Sequence, residues 1–341
     1  MRQTFTLALL AITLRTAYAS AGDRAHEFQR CMFICDNREC KVPSPTPLPL
    51  PLRLTRWTCL DNCKYSCMHD VTSNLIAAGK RPLQYYGKWP FVRVAGMQEP
   101  CSVLFSLLNL WVHVQGYSWI KKRIPHTHPL KRYYLIWSMA SMNTWIWSAV
   151  FHTRDTPLTE KLDYFSAALT ILTALYFTAI RFFHLYPPSP RDSPDPSKIM
   201  AFKAWTTICV TVFVGHILYL SLPPQFDYRY NIIFNLVTGL THNALWLLYS
   251  LPSSMSFLRR FPNRPKTYRP RRLANKAAIL VILTTLATAL ELFDFPPWRK
   301  AIDAHSLWHL ATVPIAYAWY GFLIFDASDP SRYLDPLRFS G

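Results

Sequence analysis

Charge is scarce in this 341-residue chain, with 16% of residues Asp, Glu, Lys or Arg, where ordinary soluble domains carry about 25%. Acidic residues are scarcer still, 19 against 37 Lys and Arg, which leaves a net charge of +18. Such an excess would suit nucleic acid if it coated a polar surface. Here the basic residues crowd into short gaps between apolar runs, the pattern that membrane topology produces, so no nucleic-acid partner is expected. The sequence holds no Asn-x-Ser/Thr sequon, so glycosylation does not mark a compartment. It holds no Cys-x2-Cys pair either, which argues against a cysteine-ligated zinc. The tail shows neither a Lys-Asp-Glu-Leu-type signal nor a dilysine pair. Residence in the endoplasmic reticulum membrane is expected, with the Golgi membrane as the alternative.

Apolar and aromatic residues fill the space, at 51% and 15% of the chain. Many of the 12 Trp and 18 Tyr lie near the ends of apolar runs, as in interfacial belts. Residues 1–19 read as a signal peptide, with Arg2, a short apolar core from Phe5 to Leu14, and Ala17-Tyr-Ala19 as a cleavage site. Residues 20–97 form a luminal cysteine-rich region holding Cys31, Cys35, Cys40, Cys59, Cys63 and Cys67. Their Cys-x3-Cys spacings suit two short helices joined by the Pro-rich strip 43–52. In an oxidising compartment they imply three disulfides, with 15 connectivities open. One nested set, Cys31–Cys67, Cys35–Cys63 and Cys40–Cys59, would staple a helical hairpin.

Residues 98–326 contain seven apolar segments, near 100–120, 133–152, 162–181, 203–222, 230–250, 276–293 and 304–325, each close to the ~20 residues that cross a bilayer. Alternate gaps and the tail carry 19 Lys and Arg, against 5 in the other gaps. The positive-inside bias makes the first set cytosolic. The signal peptide independently places the N-terminal region in the lumen, and seven spans leave the tail, 327–341, in the cytosol. The expected fold is an all-α membrane protein, seven transmembrane helices behind a small disulfide-rich luminal domain.

Two polar motifs sit at segment ends. In Trp147-Ser-Ala-Val-Phe-His152, Ser148 and His152 share one helix face, and Asp163 follows eleven residues later. His305 and His309 repeat the i,i+4 spacing. In the seven-span topology all five groups lie at one depth just inside the luminal face; the common depth holds whichever way the phase of the spans is read, and the choice of the luminal face rests on the charge bias. Three neutral imidazoles bind Zn²⁺ and leave a fourth position for water, whose pKa falls to about 7. Asp163 suits a general base. Ser148 suits an oxyanion donor or a hydroxyl fixing a ligand's tautomer. Each has a plainer reading alone: an interfacial histidine, a helix-packing hydroxyl, a carboxylate complementing a helix dipole.

Ser148-x3-His152, Asp163 and His305-x3-His309 resemble the CREST superfamily of seven-span metal-dependent hydrolases, which includes alkaline ceramidases and adiponectin-receptor-like proteins. The cysteine-rich head, Gln84-Tyr-Tyr-Gly-Lys-Trp-Pro-Phe91 and Gln98-Glu-Pro100 resemble its Per-like, post-GPI-attachment lipid-remodelling branch. The resemblance covers nearly all of 25–330, and Cys101 departs from the small residue expected after Glu-Pro. It implies His152, His305 and His309 as zinc ligands, with Asp163 and Ser148 as catalytic residues. The implied reaction is hydrolysis of the sn-2 acyl ester of the GPI phosphatidylinositol, with GPI-anchored proteins and membrane lipids as partners. A same-fold ceramide amidase is one rival, against which the large cysteine head argues. A non-catalytic seven-span receptor or maturation factor with a structural zinc is the other, and in it Asp163 would be dispensable.

Overall fold

The computed structural model describes residues 21–186, 195–223, 225–251, 271–292 and 294–327. The expected signal peptide, most of the cationic gap after the fifth apolar segment and nearly all of the tail lie outside these residues. Contacts divide the chain into two compact units. The first comprises residues up to Val103 with His152–Asp155 and Asp294–Ser306, and the second the described remainder.

The first unit is built on a helical hairpin. Helix α1, His26–Cys35, runs into a π-helical turn, Asp36–Cys40. Pro43, Pro45, Pro47 and Pro49 then lack the amide donors a helix needs, and only the short α2, Leu50–Leu54, interrupts the connection. Helix α3, Cys59–Ala77, starts at a capping box, with Thr58 accepting from the Asp61 amide and Asp61 accepting from the Thr58 amide. Cysteines spaced by four share a helix face, so the two stripes pair as a nested ladder: Cys31–Cys67, Cys35–Cys63 and Cys40–Cys59, with Cα separations of 5.7, 5.8 and 5.6 Å. The apolar core beneath is small, centred on Phe28, Cys67, Val71 and Tyr85, and a core of that size needs covalent support.

Two tight turns follow. In Tyr85-Tyr86-Gly87-Lys88 and Val94-Ala95-Gly96-Met97 the central residues all have positive φ and the flanking residues exchange backbone hydrogen bonds, which is type I′ geometry. Gly96 is required twice over, because its φ is +84° and a Cβ there would meet Thr55 Oγ1 at 2.5 Å.

Among the described residues seven long helices follow the head: α4 Pro100–Arg123, α5 Lys131–Thr153, α6 Pro157–Phe182, α7 Pro196–Ser221, α8 Tyr228–Ser250, α9 Arg271–Leu292 and α10 Ala304–Ala327. They overlap the seven apolar segments, with α6, α7 and α9 starting earlier, the first two because Thr156 and Asp195 cap them. Four of them (α6, α7, α8 and α10) are long and apolar enough to cross a membrane, and the apolar part of α9 is the shorter Asn275–Leu290. Helices α4 and α5 carry basic ends and several polar side chains, which lower their mean hydropathy. In the second unit the polarity is turned inward: Ser106, Asn109, His113, Ser138 and Ser141 are buried, while Ile208, Val210, Val212 and Val214 of α7 are exposed. Apolar surface outside and polar groups inside mark a multi-pass membrane protein. Close approach is used at Gly116, where a Cβ would lie 2.3 Å from the Tyr320 ring. Lys131 Nζ donates to the carbonyls of Lys121 and Ile124, capping the end of α4.

The Asp61 cap is joined by Arg154, which donates to Asp61 Oδ2 at 2.6 Å. Burial alone would raise the Asp61 carboxyl, but the Thr58 hydroxyl and the Arg154 charge outweigh it and hold it below the usual range. A carboxyl depressed in the folded state stabilises fully above about pH 4 and loses that contribution as pH falls through the lower folded value. Asp61→Asn is therefore expected to flatten the acid side of a stability-against-pH profile of the purified chain. Thr58→Ala is expected to cost about 1 kcal/mol at neutral pH, read from denaturant midpoints.

Candidate metal centre

Each histidine is placed by a helix end. His152 closes the last turn of α5, and its buried ring turns Nδ1 to Glu99 Oε2 at 2.8 Å. The carboxylate accepts, so the proton sits on Nδ1 and the lone pair on Nε2. That Nε2 lies 3.2 Å from His305 Nε2. On α10, His305 and His309 lie one turn apart on one helix face. His309 Nδ1 faces Ser106 Oγ at 3.0 Å, and the Asn109 side-chain amide donates to the His309 carbonyl at 2.7 Å.

One nitrogen from each of His152, His305 and His309 lies within 4.8 Å of the others, a grouping that could hold a metal ion. The donor chemistry fits zinc. Two nitrogens bound at ~2.0–2.1 Å in a tetrahedral shell stand about 3.3 Å apart, close to the His152–His305 separation of 3.2 Å. The rings of His152 and His309 also carry an oxygen partner on Nδ1, the arrangement that leaves Nε2 to coordinate. The sulfurs of Cys40, Cys59 and Cys63 also cluster, but all three are in disulfides and have no thiolate to offer.

Ser148 is buried and reaches Ser106 Oγ at 3.1 Å, one hydroxyl removed from His309. Asp163 stands in the second turn of α6, half-buried, and is not a member of the histidine grouping. Sequence reasoning missed Glu99, Lys88 and Ser106. Glu99 and Lys88 lay within motifs read only as family marks. The signal for Ser106 was a polar stripe along α4, Ser102, Ser106, Asn109 and His113, with helical spacing.

Lys88 Nζ lies 2.6 Å from Glu99 Oε1 and 3.1 Å from Asp155 Oδ2. Burial works against the charge on Lys88, yet the Glu99 and Asp155 carboxylates outweigh it and raise its pKa above the usual lysine range. Burial likewise opposes ionisation of Glu99, and the charges on Lys88 and His152 overcome it and hold the carboxyl below its usual range.

A model of the Per1-like family matches residues 49–327. Over 329 residues, 94% of this chain and 92% of the relative, the chain is 42% identical to the Protein PER1 homolog of Schizosaccharomyces pombe. It is 34% identical over 332 residues, 96% of this chain and 94% of the relative, to the Homo sapiens protein named GPI-specific phospholipase A2-like PGAP3. It is 35% identical over 323 residues, 92% and 90% of the two chains, to Post-GPI attachment to proteins factor 3 of Drosophila melanogaster. No solved structure matches the chain.

Ser106→Ala removes the hydroxyl that faces His309 Nδ1, and a lost partner for a buried polar group costs about 1–3 kcal/mol. Ser148→Ala leaves that contact in place. Thermal unfolding in detergent is expected to show the larger loss for Ser106→Ala, and an equal loss would mean that Ser106 is not the partner that matters.

Proposed function

The chain belongs to the Per1-like family, and from that premise we propose that it is a zinc-dependent lipid hydrolase of GPI anchors. The reaction is cleavage of the sn-2 acyl ester of the GPI phosphatidylinositol, giving a lyso-GPI-anchored protein and a free fatty acid. The observation that carries this reading is the His152, His305 and His309 grouping with hydrogen-bonded partners behind it, in a chain aligned nearly end to end with a relative named GPI-specific phospholipase A2-like.

In this reading the seven helices α4 to α10 are seven spans. The cysteine-rich region faces the lumen and the tail the cytosol, in the endoplasmic reticulum or Golgi membrane. His152, His305 and His309 hold the metal. Zinc bound there supplies Lewis acidity toward an ester carbonyl and toward water. Asp163 orients the attacking water and takes its proton. Ser106 fixes the His309 tautomer, and Ser148, hydrogen-bonded to Ser106, offers its hydroxyl toward charge developing on the carbonyl oxygen. A site near the luminal leaflet suits an ester at the boundary between head group and hydrocarbon.

The test is metal content and fatty-acid release from a GPI lipid by purified wild type and Asp163→Asn. Near-stoichiometric zinc is expected in both, with release lowered about 10²–10⁴-fold in the variant. Zinc in both with release from neither, beside a working control enzyme, would assign the metal a structural role instead. Chelation is expected to stop release by the wild type, and added Zn²⁺ to restore it.

A further inference from the structure

Beyond the three histidines, we propose that Lys88 and Glu99 are positioning residues for His152, an ion pair that fixes which nitrogen of that ring is available to the metal. The proposal rests on the metal-centre reading and adds two residues to it.

The geometry is closed at every step. Glu99 has two carboxylate oxygens, and each has a partner: Oε2 takes the Nδ1 proton of His152 at 2.8 Å, and Oε1 takes a Lys88 ammonium proton at 2.6 Å. With Oε1 held by the lysine, the carboxylate plane is set and Oε2 is aimed at one ring nitrogen. The backbone supports the same contact. The amides of Gln98 and Glu99 donate to the carbonyls of Thr153 and His152, each at 3.0 Å, satisfying acceptors that the end of α5 leaves open. Lys88 is itself delivered by the first type I′ turn. That turn is tied down by Trp89 Nε1 and Gln84 Nε2, which donate to the Asp294 carboxylate at 2.7 and 2.6 Å. With Glu99 and Asp155 both on its ammonium, Lys88 is committed to carboxylates and does not serve as a hook for a lipid phosphate. Partners of this kind on a ligand's far nitrogen commonly set metal affinity by 10–100-fold.

The test uses full-length protein in detergent, with zinc affinity from chelator competition and the visible absorption of the cobalt-loaded form as readouts independent of lipid turnover. Glu99→Gln and Lys88→Met are each expected to weaken zinc binding about 10–100-fold and to alter the cobalt spectrum, with helix content unchanged. The double variant is expected to be no weaker than Glu99→Gln alone, because both changes act on one contact. Lys88→Arg, which keeps the charge, is expected to restore affinity to within a few-fold of wild type. If Glu99→Gln does not fold, the comparison of Lys88→Met with Lys88→Arg decides. Unchanged affinity and spectrum in Glu99→Gln, or losses that multiply in the double variant, would overturn the proposal and leave the hydrolase reading standing. A well-folded wild type that binds no zinc would overturn both.

Discussion

A buried carboxylate costs several kcal/mol unless its charge is met, and much of the first unit is arranged to meet the charge of one such group. Glu99 has its side chain 5% exposed and lies between a lysine and a histidine. Neither partner is a near neighbour in sequence: Lys88 is eleven residues away and His152 is 53. Bringing them together requires a turn that reverses the chain within two residues, an anchor for that turn, and a register between residues 98–99 and the end of α5. The structure has all three, and each has its own cause: positive φ at Tyr86 and Gly87, the Asp294 carboxylate that accepts from Trp89, and the open carbonyls of a helix terminus.

The disulfide ladder belongs to the same logic. The head has a core of a few buried side chains, too small to hold α1 against α3 by burial alone. Three cross-links limit the freedom of the unfolded chain instead. A rigid α3 then presents Asp61 to Arg154, while Trp57 lies beneath the Arg154 guanidinium at 4.2 Å. Arg154 is two residues past His152. The cysteine-rich region therefore grips the chain just beyond a candidate metal ligand.

Legibility in the sequence followed the range of the interactions. The seven helices were readable because long apolar runs carry their own signal, and their starts were misplaced where a helix extends into polar sequence, at the caps Thr156 and Asp195 and at the basic start of α9, Arg271. The nested cystine set was anticipated among the alternatives because Cys-x3-Cys fixes a helix face, although spacing alone does not select a pairing. The i,i+4 histidines were legible for the same reason. What escaped was long-range and local in geometry at once. Ser106 meets His309 across 203 positions, and Lys88 depends on a turn type that hydrophobic periodicity does not encode. For Asp163 the sequence offered a place near a helix start, and depth along a helix says nothing about the direction a residue faces.

Proton counting joins the two roles first weighed for Ser148. If His309 coordinates through Nε2, its Nδ1 carries the proton and donates to Ser106 Oγ, 3.0 Å away. Ser106 has one proton of its own, and Ser148 Oγ, 3.1 Å away, is placed to accept it. Where Ser148 accepts from Ser106, it keeps its own proton to donate. Each donor in the chain is polarised by the one before it, so charge withdrawn at His309 by a metal would make the Ser148 hydroxyl a better donor. On the proposed mechanism, fixing the tautomer of a ligand and stabilising a developing oxyanion would be successive links of one hydrogen-bonded chain joined at Ser106.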